Sequence, residues 1–86
     1  MWGMSELRAI IGVKARAGRL GEVGNLLKEQ KEVLSAFEVT GEFDIMFLSR
    51  FGSMVELEKF IKSVLLWKYV ERTTTFVVIN TIKDRV

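Results

Sequence analysis

Polar chemistry in this chain concentrates in two short segments. The first is Gly41-Glu42-Phe43-Asp44, which stands directly before the apolar run Ile45-Met46-Phe47-Leu48. Asp44 falls at the mouth of an expected hairpin, where an ionised carboxylate must be hydrated, paired or hydrogen-bonded. Two roles fit it. It can help to hold the ammonium of a small ligand, or it can cap the turn by accepting N–H groups. Gly41 is double in the same way: it makes the turn, or it lets backbone N–H groups approach a ligand carboxylate. Glu42 reads as a solvated turn residue. The second segment is Thr73-Thr74-Thr75. Strand alternation points Thr73 and Thr75 to one face and Thr74 to the other. Their hydroxyls could line a polar cleft, although strand propensity alone accounts for threonines here. Trp67 and Tyr69 could stack on a ligand, or anchor a core or an interface.

The residue types that are missing narrow the chemistry. The chain has 86 residues with no cysteine, histidine or proline. Disulfides, thiolate metal sites and cysteine nucleophiles are excluded. So are imidazole metal ligands and the commonest general base near neutral pH. No paired carboxylates are placed for acid–base work. The charge sum of +2 is too mild to argue nucleic-acid binding. Arg8, Lys14, Arg16, Arg19, Arg50, Arg72 and Lys83 are scattered rather than clustered. There is no Gly-rich phosphate loop and no aromatic RNA-binding signature. The start Met1-Trp2-Gly3-Met4-Ser5 does not read as a signal peptide, and no run approaches the ~20 apolar residues of a membrane span. A cytoplasmic protein is expected.

Six elements must position these residues. Leu7 to Ala15 is a strand whose apolar residues suggest cover on both faces. Leu20, Val23, Leu26 and Leu27 recur at helical spacing. Gly21 and Gly24 weaken that helix by about 1 kcal/mol each, which a close approach to the sheet would offset. Val33 to Thr40 and Asp44 to Arg50 are strands joined by a tight connection at Gly41. Ser53 and Glu56 form a capping box, followed by Leu57, Phe60, Ile61, Val64 and Leu65 on one helical stripe. Val70 to Ile82 is the last strand. The order is strand, helix, strand, strand, helix, strand. That is an α+β, ferredoxin-like βαββαβ sandwich, a four-stranded antiparallel sheet with both helices on one face. The length allows one domain, residues 1–86.

Two helices cover one face only. Ala9-Ile10-Ile11, Ile45-Met46-Phe47-Leu48 and Phe76-Val77-Val78-Ile79 carry apolar residues on both faces, so the other face would expose an apolar patch, which soluble monomers avoid. Packing of two open faces in a dimer is the simplest remedy.

Val39-Thr40-Gly41-Glu42-Phe43-Asp44-Ile45 resembles the Val-Thr-Gly-(Asp/Glu)-(Tyr/Phe)-Asp hairpin of the Lrp/AsnC family's C-terminal effector domain, called RAM. Val70 to Ile79 looks like that domain's final strand. The resemblance spans about Leu7 to Lys83. It departs at Ala17-Gly18, where the family often has Pro-Gly, and at Leu66 to Tyr69, where a Pro-Gly turn is common. No helix-turn-helix segment precedes the domain, so the chain looks like a stand-alone RAM protein. The resemblance implies a dimeric α+β barrel through the sheets, often assembled further into a ring of four dimers. It implies a non-enzymatic module that binds a free amino acid between dimers and needs no cofactor or metal. Its partners would be further copies or full-length Lrp/AsnC-type regulators, with an effect on transcription or amino-acid metabolism. Carried over by position, Gly41 and Asp44 are the effector contacts. Glu42 and Phe43 shape the loop, with Thr73 and Thr75 as further candidates. Two rivals share the element order: a small dimeric monooxygenase-type enzyme and an ACT-like regulatory domain.

Overall fold

The computed structural model describes residues 6–85; the reading of Met1 to Ser5 lies outside them. The elements are β1 (Leu7–Ala15), α1 (Leu20–Lys28), β2 (Val33–Glu38), β3 (Ile45–Phe51), α2 (Met54–Leu65) and β4 (Val70–Val77). They build one antiparallel sheet in the order β2-β3-β1-β4. This is the expected ferredoxin-like arrangement.

Strand alternation divides the sheet into two faces. Ala9, Ile11, Val13 and Ala15 of β1 are buried, as are Ile45, Phe47, Ser49 and Phe51 of β3. These residues sit opposite one another in the ladder, with Ile11 facing Phe47 and Val13 facing Ile45. Val23 and Leu27 of α1 and Leu57, Phe60 and Val64 of α2 join the same apolar cluster. Both helices therefore lie on that face. The Phe60 ring meets Phe47 edge-on at 6.1 Å and Phe51 at 5.3 Å. Ser49 is the polar member, and its hydroxyl donates to the Ala9 carbonyl at 3.1 Å. That bond removes most of the penalty for burying a hydroxyl.

The opposite face stays open. Phe37, Met46, Gly12 and Thr74 form one row across all four strands, and Leu48, Ile10 and Phe76 form the next. Ile10 is 39% exposed, Phe37 60% and Phe76 50%. The apolar open face expected from the sequence is present.

Element ends differ from the expected ones for local reasons. β4 stops at Val77 instead of Ile82. Its register with β1 runs Ala9 to Val77, and the Val78 N–H donates to the Arg8 carbonyl. Because β1 begins at Leu7, later residues have no strand to pair with. Ile79 and Ile82 are each 96% exposed beyond it. β2 ends at Glu38 rather than Thr40, and β3 runs from Ile45 to Phe51 rather than Asp44 to Arg50. The Asp44 N–H bonds the Val13 carbonyl of β1 rather than a β2 residue. The Asp44 carbonyl still accepts from the Val39 N–H, so one bond continues past the ends of the two strands. At α2, the Ser53 hydroxyl accepts from the Glu56 N–H as expected. The Glu56 carboxylate accepts from the Gly52 N–H, one residue earlier than in a standard capping box.

The glycines of α1 need a different account from close packing. A Cβ at Gly21 or Gly24 would meet nothing within 4 Å. Gly21→Ala and Gly24→Ala should each raise stability by about 0.5–1 kcal/mol, because alanine restricts the unfolded chain and favours helix. Urea unfolding of the two variants would show this as a higher midpoint with an unchanged slope.

Candidate functional site

The β2–β3 connection is held at three points. The Val39 N–H donates to the Asp44 carbonyl at 2.9 Å, and the Asp44 N–H donates to Val13 at 2.9 Å. Gly41 adopts φ +116, which strains any residue with a side chain. The Phe43 ring supplies the third point. It lies over Gly12 on the open sheet face, where a Cβ at residue 12 would come within 2.8 Å of two ring atoms.

Asp44 is fixed by the end of β1. Its Oδ2 accepts the Ala15 N–H at 2.8 Å, and its Oδ1 lies 3.6 Å from Lys14 Nζ. The β1–β4 register shifts between Lys14 and Ala15. Arg16 then donates to the Tyr69 carbonyl on the β4 side. The Ala15 N–H points the other way, toward β3, and the carboxylate takes the place of a strand carbonyl there. One carboxylate oxygen is thus committed to the backbone. The other faces a loose, half-exposed ion pair.

Beside Asp44 is a cleft of about 340 Å³ at the β1–α1 corner. Lys14 and Arg16 supply positive charge, Asp44 and Glu71 negative charge, and Leu20 an apolar wall. Such a surface can bind both ends of a small zwitterion through charge-assisted hydrogen bonds. A larger concavity of about 710 Å³ opens at the far end of the sheet, over Phe51 and Phe60. It contains none of the hairpin residues. Among the described residues no group of three or more acidic side chains is arranged to hold a metal ion.

The six residues singled out from sequence do not converge on one spot. Asp44 lines the cleft, and Gly41 makes the turn beside it. Glu42 is exposed, as expected of a turn residue, and its carboxylate lies 3.7 Å from Arg72. Phe43 turns its ring to the sheet, with the Arg72 guanidinium 5.4 Å from the ring centroid. Thr73 and Thr75 pair with Val13 and Ile11, so they share the helix-facing side. Thr75 lines a separate groove against α2. Thr74, opposite Gly12, is the threonine on Phe43's face. Sequence reasoning missed Lys14, Arg16 and Glu71 because the charges looked scattered. Pairing Asp44 with the end of β1 brings them together. The signal for Phe43 was Gly12, a glycine inside an apolar strand, which marks close approach of another group.

The hydrogen bond to Ala15 has a measurable consequence. Asp44→Ala leaves that N–H without its acceptor and should cost about 1–3 kcal/mol. Asp44→Asn keeps an oxygen acceptor and should cost less. Equilibrium denaturation of the two variants against the parent chain gives both numbers.

Comparison with known proteins agrees with this fold. The Lrp/AsnC ligand binding domain model matches residues 8–86. An uncharacterized HTH-type transcriptional regulator of Pyrococcus furiosus, PF1734, is 38% identical over 79 residues, 92% of this chain and 53% of the relative. The chain spans about half the length of the curated relatives it matches. Among solved structures, TTHA0845 from Thermus thermophilus superposes with a TM-score of 0.84 at 25% identity, covering 91% of this chain and 99% of its own. The transcriptional regulator NMB0573 of Neisseria meningitidis, solved as an L-Met complex, gives 0.83 at 30% identity over 91% of this chain and 53% of its own. The chain belongs to the Lrp/AsnC ligand-binding domain family.

Proposed function

We propose that this chain is a non-enzymatic binding module for a free amino acid, which regulates transcription or amino-acid metabolism by shifting the assembly it belongs to. What supports this above all is the mixed-charge cleft beside Asp44, at the hairpin whose sequence matches the family's effector loop. In the bound state the Oδ1 of Asp44 takes the ligand ammonium in place of Lys14. Backbone N–H groups around Gly41, together with Lys14 or Arg16, take the carboxylate. Glu42 and Phe43 shape the loop. Thr73 and Thr75 face the helices and are assigned no ligand contact within one copy. The ligand class is supported by the L-Met complex of the 30% identical Neisseria regulator.

The open face supplies the assembly. Ile10, Phe37 and Phe76 are exposed together on this face, and soluble monomers avoid contiguous apolar patches. Two copies packed through this face form a dimer, and dimers join with the hairpins at their seams, as a tetramer of dimers or together with full-length Lrp/AsnC-type regulators. A ligand held at a seam favours the state that binds it better.

Light scattering with and without each free amino acid, L-methionine first, tests this. One amino acid should change the mass or tighten the assembly, and Asp44→Asn should weaken its binding at least ~10-fold. A stable oligomer indifferent to every amino acid would overturn the sensor function while keeping the fold. Phe76→Glu should reduce the assembly to smaller species with unchanged secondary structure, since the side chain is half exposed in the single copy.

A further inference from the structure

We infer that Phe43 is a positioning residue that ties the hairpin to the open sheet face, so that packing on that face and the conformation of the hairpin control one another. The inference rests on the proposed use of the open face for assembly. It does not depend on which amino acid binds.

Phe43 belongs to the connection, since β3 begins only at Ile45. No strand ladder fixes its side chain, so the ring's position is set by what it touches. Beneath it is Gly12, in the centre of the central strand. A Cβ there would lie 2.8 Å from Phe43 Cγ and Cδ2 and 3.0 Å from Met46 Sδ. The ring can settle only because residue 12 has no side chain. Above the ring, the Arg72 guanidinium lies 5.4 Å from its centroid, a cation–π contact. The same guanidinium reaches Glu42 at 3.7 Å. Two consecutive hairpin residues are therefore held by one β4 side chain, and one of them also rests on β1.

The place where the ring lands matters as much as how it is held. Gly12 sits in the row Phe37, Met46, Gly12, Thr74, which crosses all four strands on the open face. The Phe43 ring fills the gap that glycine leaves in that row. A second copy packed on this face would press on the ring and hold it down. Releasing the copy would leave the ring with its contacts over Gly12 and with Arg72, whose pair with Glu42 is exposed and weak. The segment Gly41 to Phe43 follows the ring, while Asp44 is bonded to Val13, Val39 and Ala15. Coupling of this kind is reciprocal, with typical factors of about 5–150 in affinity.

Hydrogen exchange of the full chain, followed against protein concentration without any ligand, tests the inference. In the parent chain the amides of residues 41–43 should gain at least ~5-fold protection as the mass rises on assembly. In Phe43→Ala those amides should exchange at a rate independent of concentration, and assembly should weaken about 5-fold or more, while amides of Ile11 and Phe47 keep their protection. Phe43→Tyr should restore the parent behaviour. Arg72→Ala, an exposed substitution with little risk to folding, should move both readouts in the same direction by less. A parent chain that assembles with no change at 41–43, or a Phe43→Ala chain that behaves as the parent, overturns the inference alone. A parent chain that stays monomeric throughout overturns the packing face and the inference with it. Failure of every amino acid to bind leaves these readouts unchanged and bears only on the sensor function.

Discussion

Everything in this domain depends on the position of β1 between two other strands. Both of its backbone edges are paired, so its side chains have only two places to go. The odd-numbered residues from Ala9 to Ala15 go under the helices and are buried. The even-numbered residues make the open face. A one-residue slip would exchange the two sets, which the burial of Ile11 and Val13 opposes strongly. Gly12 is the exception among the even positions. It contributes no surface of its own, and the space it leaves is taken by a ring from a loop that follows it by thirty-one residues. The fold and the hairpin geometry are thus set by the same strand.

The elements legible in the sequence are those whose pattern is decided within one segment. β1 matches its expected limits of Leu7 and Ala15, because its odd-numbered positions stay apolar from Leu7 to Ala15 and Arg16 follows. α2 was legible from its stripe and from Ser53, whose hydroxyl does cap the helix. What was not legible depends on partners distant in sequence. Val78 to Ile82 has strand composition, but β4 ends when β1 has no more residues to offer. Gly21 and Gly24 suggested close packing, yet the space around them is open. The family match covers residues 8–86 and agrees with the resemblance seen in the hairpin and the last strand.

The candidate site was legible in kind and less so in membership. Gly41 and Asp44 are where the turn motif put them. The threonines were sorted correctly by alternation, but which set faced the hairpin needed the register of β4 on β1. That register puts Thr74, not Thr73 or Thr75, opposite Gly12. The cations of the cleft are near neighbours in sequence, but that Asp44 and Glu71 meet them at the β1–α1 corner is visible only in the fold. Lys14 and Arg16 flank Ala15, whose N–H binds the carboxylate of Asp44. A site formed by one backbone bond across 29 residues leaves no local pattern.

The two alternatives that Asp44 posed, a structural cap or a ligand contact, are compatible within one side chain. Oδ2 accepts the Ala15 N–H at 2.8 Å, which fixes the plane of the carboxylate. Oδ1 is left toward Lys14 at 3.6 Å, beyond good hydrogen-bond distance, with both groups partly exposed. An ion pair of that kind contributes little to stability. Replacing the lysine by a ligand ammonium therefore sacrifices little, while the acceptor needs no reorientation. An acceptor held in place before the ligand arrives spares the binding step the entropy of ordering it. The structural bond is what makes the remaining oxygen useful. The same reasoning holds at Arg72: its contacts to Glu42 and Phe43 are individually weak. Weak contacts leave Glu42 and Phe43 freer than Asp44, which is bonded to Val13, Val39 and Ala15.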